Sequence, residues 1–439
     1  MCLKQGPHNI KKMKINLPET GQKRIVIIGG GFAGLTLAKK LANTNYQVIL
    51  LDRNNYHQFQ PLFYQVAMAG LEPSSIVFPL RKMFHKHKNI YIRVTDVLSV
   101  DAEKKFLDTS LGKCNYDYLV IATGADSNFF GNEKLEQLTI PMKSVSEALF
   151  LRNRILDDYE KALSETDYER RQGFIDIVIV GGGPTGVEVA GALAEMKKYI
   201  LPKDYPELNV QEVDIHLVQG GPVLLQGMSE NASSKALQFL EKLGVKIKLN
   251  TRVTDYDGQC VYMNDGSAIP SQKVIWAAGI IGSLIKGLPS GVIVQGNRVE
   301  VDQYGRVKES PDIFAIGDIA YMTEKDYPQG HPQVAQVAMQ MAKNLAKNFK
   351  LLEKNNPLKG FSYKDKGSMA TIGRHQAVVD LPNYKFSGAF AWFVWLFVHL
   401  FQLLGTKNKV FVFVNWVWNY FTYDQSLRLI IKPRVPRKD

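Results

Sequence analysis

The chain has 439 residues, 45% apolar and 22% charged, a balance that fits two or three folded domains and excludes disordered, collagen-like or disulfide-stapled classes. Lys and Arg outnumber Asp and Glu 54 to 42, and the net charge of +12 suits an anionic partner, be it membrane, nucleic acid or small molecule. Only Cys2, Cys114 and Cys260 occur, far apart and outside any CxxC, which excludes a thioredoxin-like dithiol and points to an intracellular chain.

Residues 1–22 lack the apolar core of a secretory signal and read as a flexible lead. Residues 24–41, RIVIIGGGFAGLTLAKKL, then give an apolar β-rich run, a GxGxxG turn at Gly29, Gly31 and Gly34, and a helix-period segment of small residues. Each glycine has its own reason: a tight turn, close backbone approach to a diphosphate, and close packing of helix on strand. The diphosphate rests on the open N–H groups and positive dipole of the helix start. The next strand ends in Asp52, 23 residues beyond Gly29, near the spacing expected for an acid that binds a ribose. The basic run RKMFHKHKNIYIR from Arg81 carries no nucleic-acid signature and reads as a solvated helix end; the eight histidines show no metal-ligand spacing.

Residues 176–193, DIVIVGGGPTGVEVAGAL, repeat the whole pattern 152 residues later, with Gly181, Gly183 and Gly186. One GxGxxG is weak evidence; two in matching strand–helix context predict two bound dinucleotides. The second nucleotide strand, DIHLVQ, ends in Gln219. Glutamine bonds a ribose but does not repel a 2′-phosphate, and no arginine follows in GGPVLLQG; NADH is expected as the better substrate, with measurable use of NADPH. Residues 312–318, DIFAIGD, form a buried strand ending in Gly317 and Asp318, and such an acid can bond the ribityl chain that only a flavin has. FAD is therefore assigned to the first cradle and the nicotinamide to the second.

Downstream lies a helical stretch in which Gln336 and Gln340, four residues apart, present two uncharged amides on one face. From Phe386 the composition turns aromatic. Residues 389–404 are 16 long, short of the ~20 needed to span a bilayer. At helical spacing Trp392, Trp395, His399 and Gln402 share one face, with Phe390, Phe393, Phe397 and Phe401 on the other, which suits a helix lying in the membrane interface; a buried dimerisation helix and a transmembrane hairpin are the alternatives. Lys407, Lys409, Arg428, Lys432, Arg434, Arg437 and Lys438 flank it and suit an anionic lipid surface.

These motifs, with DRNNYHQFQPLFYQVA from Asp52, YLVIATGA from Tyr118, VIWAAG from Val274, AQVAMQ from Ala335 and DKGSMATIGR from Asp365, resemble the type II NADH:quinone oxidoreductases from Lys23 to Ile431. The resemblance implies a non-pumping NADH dehydrogenase: NADH delivers hydride to FAD, which passes two electrons to a membrane quinone. It adds Thr123 and Gly124 as flavin contacts, Ala278 and Gly279 in the nicotinamide site, Glu188 in proton relay, and a quinone site at Gln336 and Gln340, whose amides can bond a quinone carbonyl, with Lys366 beside it. It also implies a homodimer on the cytoplasmic face of the membrane, without nucleic acid or metal. The expected fold is α/β, with two Rossmann-like domains: a lead over 1–22, a flavin domain split into 23–150 and 283–350, a nicotinamide domain inserted at 151–282, and a membrane-associating helical region over 351–439. Sulfide:quinone oxidation needs paired cysteines at the flavin and is the nearest rival; a low-turnover membrane-bound redox sensor or scaffold is the other.

Overall fold

The apolar runs before the two glycine motifs form the middle strands of two five-stranded parallel sheets. The computed structural model describes residues 15–289, 291–423 and 427–431. In the first sheet the order is Ile313–Ala315, Tyr118–Ile121, Arg24–Ile28, Gln47–Asp52, Ile90–Val94. In the second it is Ile140–Pro141, Val274–Trp276, Ile177–Val180, Ile215–Val218, Lys246–Lys248. All the neighbours pair in parallel. The central strands are buried throughout, and their unbroken Ile/Val runs are what a sheet covered on both faces requires.

Registers match between the sheets. Ile28 lies opposite Leu51, and Val180 opposite Val218, so Asp52 and Gln219 each stand one residue past the partner of the residue before the turn. Helix Phe32–Leu41 follows the first turn and helix Pro184–Tyr199 the second.

The chain forms two compact units, with residues 1–57, 78–126 and 281–364 in one and residues 58–77, 127–280 and 365–439 in the other. The motif-based boundaries at 150 and 282 differ from these crossings. Residues 127–150 join the second unit because Ile140–Pro141 adds an edge strand to its sheet, and helix Val145–Ser164 starts there on a capping box between Ser144 and Glu147. The aromatic C-terminal region also belongs to the second unit rather than standing apart.

In that unit a three-stranded sheet, Ser368–Thr371, Ala377–Asp380 and Lys385–Ser387, leads into helices Ala389–Gln402 and Thr406–Thr422. Trp395 is 0% exposed, whereas Phe390, Phe397 and Phe401 are 61–69% exposed, as the helical spacing predicts; Gln402, expected on the inner face, is exposed at the helix end. No helix among the described residues is long and apolar enough to cross a membrane. Lys432, Arg434, Arg437 and Lys438 lie outside the described residues.

Deep in the same unit Lys273 sits fully buried against Asp158 at 3.3 Å, and Arg154 meets the same carboxylate at 2.8 Å. Burial lowers the Lys273 pKa to about 8 even so. This is a structural charge cluster at the strand entering Trp276.

Candidate functional site

The two glycine turns solve the same steric problem with the same atoms. Gly29 has φ +102° and Gly181 φ +111°, and a Cβ on either would lie 2.3 Å from the carbonyl oxygen of Ala122 or Ala277 on the neighbouring strand. At Gly34 and Gly186 a Cβ would lie 1.9 or 1.8 Å from the oxygen of Gly29 or Gly181, so only glycine lets the helix approach its own turn. Gly31 and Gly183 are different: their backbones are ordinary extended ones, and a Cβ there would meet nothing within 4 Å. Open space thus stands before each helix, whose N-cap glycine offers no side-chain cap and whose first turn holds no acid. The exposed N–H groups and the dipole are left for an anion, and each cradle fits a dinucleotide diphosphate.

Beyond each turn the polar ends diverge. The Gly30 N–H donates to Asp52 Oδ2 at 2.6 Å, and the Gly182 N–H donates to Gln219 Oε1 at 2.8 Å. Burial raises the Asp52 pKa, opposed by the hydrogen bonds from Gly30 and Asn54 and by Arg53. His57, buried with its pKa lowered to about 4 by that burial, braces the first turn: its Nδ1–H donates to Gly30 O at 3.0 Å. The sequence reading passed over this histidine, although it lies in the quoted YHQFQ stretch.

The remaining flavin-side residues lie in the first unit. The Thr123 hydroxyl donates to Ser283 O at 2.7 Å, and Ser283 N–H to Gly124 O at 3.1 Å, which fixes that loop. Gly317, with φ +79°, packs where a Cβ would press on Ala33 and Ala338 at 3.2 and 3.3 Å. Gln333 donates to Asp318 O at 2.9 Å, and the buried Arg298 guanidinium bonds Ala320 O and His331 O, stapling this segment to the one before the quinone-motif helix. Neither Arg298 nor Gln333 announces such a role in the sequence.

Gln336 and Gln340 are half-buried on helix Ala335–Leu352. Both ends of the Gln340 amide are engaged: Nε2 donates to Lys364 O at 2.9 Å, and Lys364 N–H donates to Oε1 at 3.1 Å. In this state Gln340 clasps backbone instead of presenting a free amide. Lys366 is exposed on the turn before Ser368–Thr371. Ala278 and Gly279 follow the buried Trp276, and Gly279 takes φ +152° as the Asn128 N–H donates to its carbonyl at 3.1 Å.

Glu188 lies half-buried in the second turn of helix Pro184–Tyr199, and loss of solvation there pushes its pKa up to about 8. The Thr371 N–H donates to it at 3.5 Å; the buried Trp395 indole N–H, which has no hydrogen-bond partner among the described residues, also favours the carboxylate. Tyr64 borders this acid, and burial, with the charges of Glu188 and Glu195 adding to it, holds its phenol well above the ordinary range. Gln65 donates to Tyr64 Oη at 2.8 Å and accepts from the Trp416 indole at 2.7 Å, tying the C-terminal helix to the acid's surroundings. A cleft continuous with solvent runs past Tyr64, Gln65, Glu195, Arg374, Trp392 and Trp416. A carboxyl that is mostly protonated near pH 7 is a proton store. The C-terminal helices thus help enclose Glu188, a role the composition of the tail did not suggest.

Both described cysteines are free thiols, and burial pushes Cys114 up to about 11, which makes it a poor nucleophile. Asp176, Asp214 and His216 bring ligand atoms within 4.8 Å of one another. That trio, which histidine spacing did not reveal, already carries a cation: Lys246 meets Asp214 at 2.5 Å, while Asp176 accepts from Gln172 and from the Asp214 N–H.

Residues 23–342 match the pyridine nucleotide-disulphide oxidoreductase family, and residues 366–423 match the NDH2 C-terminal domain. The type II NADH:quinone oxidoreductase Ndh of Mycobacterium tuberculosis is 36% identical over 91% of this chain and 88% of its own length. The type II NADH:quinone oxidoreductase of Haemophilus influenzae is 29% identical over 82% of this chain and 87% of its own. The solved structure of NDH2 from Plasmodium falciparum in complex with NADH shares the fold, with a TM-score of 0.86 at 23% identity over 94% of this chain and all of that one. Paired cradles of identical register, followed by a matched C-terminal domain and this likeness along nine-tenths of the sequence, settle the classification: the chain belongs to the type II NADH:quinone oxidoreductase family.

Proposed function

We propose that the protein oxidises NADH through a bound FAD and reduces a quinone at a membrane surface, without moving protons across that membrane. The balance is NADH plus H⁺ plus quinone to NAD⁺ plus quinol. The carrying observation is the pair of cradles, each open before Gly31 or Gly183 and closed to side chains everywhere else. FAD bound in the first unit supplies the two-electron relay between nicotinamide and quinone. The helix start at Gly31 would hold its diphosphate, Asp52 the adenosine ribose, and Asp318 the ribityl chain. The helix start at Gly183 would hold the NADH diphosphate, with Gln219 on the ribose and Ala278–Gly279 lining the nicotinamide side.

Glu188 would hold the proton taken up in each turnover, with Tyr64, Thr371 and Trp395 around its carboxyl. Gln336 and Gln340 would receive the quinone, with Lys366 as a third group; Gln340 must exchange its Lys364 bonds to do so. The exposed Phe390, Phe393, Phe397 and Phe401 would rest among lipid headgroups and acyl chains at the cytoplasmic face, where NADH is available. Lys409, which donates to Phe401 O at 2.9 Å, and Lys407 would add attraction to anionic lipid. A homodimer through the same region completes the reading.

Steady-state oxidation of NADH by the purified protein, with and without a short-chain quinone, tests it. Quinone should accelerate turnover and be consumed one for one with NADH. Electrons passing only to oxygen would remove the quinone from the account.

A further inference from the structure

Gln219 is followed by Gly220, so the residue next to the ribose-binding amide has no side chain. Another part of the second unit supplies one. After strand Lys246–Lys248 the chain folds over the end of the nucleotide strand: Thr251 N–H donates to Gln219 O and Asn250 N–H to Gly221 O, both at 3.0 Å. This brings Arg252 against Gly220. A Cβ on Gly220 would stand 3.2 Å from Arg252 Cγ, 3.9 Å from Cδ and 3.6 Å from Nε, so the arginine runs through the space a side chain at 220 would use. The Arg252 backbone is pinned in both directions by Asn264, at 2.8 and 2.9 Å.

Arg252 is exposed, and its guanidinium makes no ion pair or hydrogen bond among the described residues. The acid in the same hairpin, Asp265, is engaged by Lys248 at 3.5 Å and by the Ser267 hydroxyl at 2.5 Å. A positive, planar, five-donor group therefore borders an uncharged ribose ligand. A carboxylate in place of Gln219 would repel a phosphate on the ribose 2′ oxygen; the amide does not. The guanidinium fork suits such a phosphate.

We propose that Arg252, acting with Gln219, is a 2′-phosphate subsite that lets the second cradle accept NADPH as well as NADH. This rests on the reading of that cradle as the nicotinamide site. The arginine lies 33 residues past Gln219 in sequence, outside the GGPVLLQG stretch that directly follows the strand.

The test uses the full-length holoenzyme and Arg252→Gln, with calorimetric binding of AMP and of adenosine 2′,5′-bisphosphate, which differ only by the 2′-phosphate, beside steady-state rates on both nicotinamides. The wild type should prefer the bisphosphate over AMP, and the preference should weaken as salt rises. In Arg252→Gln that preference, and the ratio of kcat/KM for NADPH over NADH, should each fall about tenfold, the scale of one lost charge-assisted contact. Gln219→Glu should lower both ratios as well. A wild type that binds the bisphosphate no better than AMP, or ratios unmoved by Arg252→Gln, overturns the proposal. Failure to oxidise NADH at all would instead strike the functional reading, while the binding comparison would still judge the subsite.

Discussion

The two cradles are near copies in backbone and differ at their polar ends. In both, a buried strand meets a left-handed glycine, a helix begins uncapped, and the residue one step past the strand partner accepts from the second glycine of the turn. In the first, that residue is Asp52, a carboxylate followed directly by Arg53. In the second it is Gln219, neutral, followed by a glycine whose side-chain space is filled by Arg252. On the proposed reading, backbone geometry fits both turns to a diphosphate, while Asp52 in one and Gln219 with Arg252 in the other select the nucleotide.

The comparison breaks most sharply at the glycines with open space. At Gly31→Val and Gly183→Val the backbone angles are ordinary and the added Cβ has no protein atom within 4 Å, so both variants should fold. Each puts a side chain where a diphosphate belongs. Gly31→Val should purify without flavin colour. Gly183→Val should keep its flavin and lose NADH reduction by at least ~100-fold, while dithionite still bleaches it, since the loss is of positioning and not of redox chemistry. A Gly31→Val protein with full flavin content would mean that the two cradles are assigned the wrong way round.

Next in size is Glu188→Gln. General acid–base groups contribute about 10²-fold or more, and quinone reduction should fall by roughly that factor. The sign of the pH effect follows from burial: the folded-state pKa is raised, so the neutral, proton-donating carboxyl persists through pH 7 and is lost as pH rises through about 8. Wild-type activity should decline on that alkaline limb, and the variant's profile should be flat there. The same linkage makes the folded protein less stable as pH climbs from the ordinary carboxyl range through about 8, a loss the variant removes. A variant that keeps the limb shows that another group titrates.

Smaller effects separate the outer face of the C-terminal helix from its inner one. Phe397→Ser with Phe401→Ser should cut co-sedimentation with anionic vesicles at least ~10-fold, since a buried Phe is worth about 1.5–3 kcal/mol. Turnover with a water-soluble quinone should change little. Trp395→Phe, on the buried face, should instead shift the Glu188 limb while vesicle binding holds. Last, Gln340→Ala removes two backbone hydrogen bonds to Lys364, about 1 kcal/mol each, and should lower the melting temperature by a few degrees.

Much of this was legible in the chain itself because it is local. Glycine spacing, strand periodicity and the two-faced aromatic helix each depend on residues within one element, and 24–52 and 176–219 fold as read. What escaped depends on neighbours brought in from far along the chain. His57 under Gly30, Arg298 across Ala320 and His331, Arg252 beside Gly220 and the Tyr64–Trp395 walls of Glu188 all involve side chains whose partners no spacing rule connects. The unit boundaries shifted for the same reason: an edge strand as short as Ile140–Pro141 has no periodicity to detect.

The visible spectrum of the purified protein, followed anaerobically as NADH and then quinone are added, tests the central claim most directly. One flavin per chain should be present, bleach with one equivalent of NADH and regain its colour with one equivalent of quinone. Protein that stays colourless when supplied with FAD, or a yellow protein that NADH does not bleach, would contradict it.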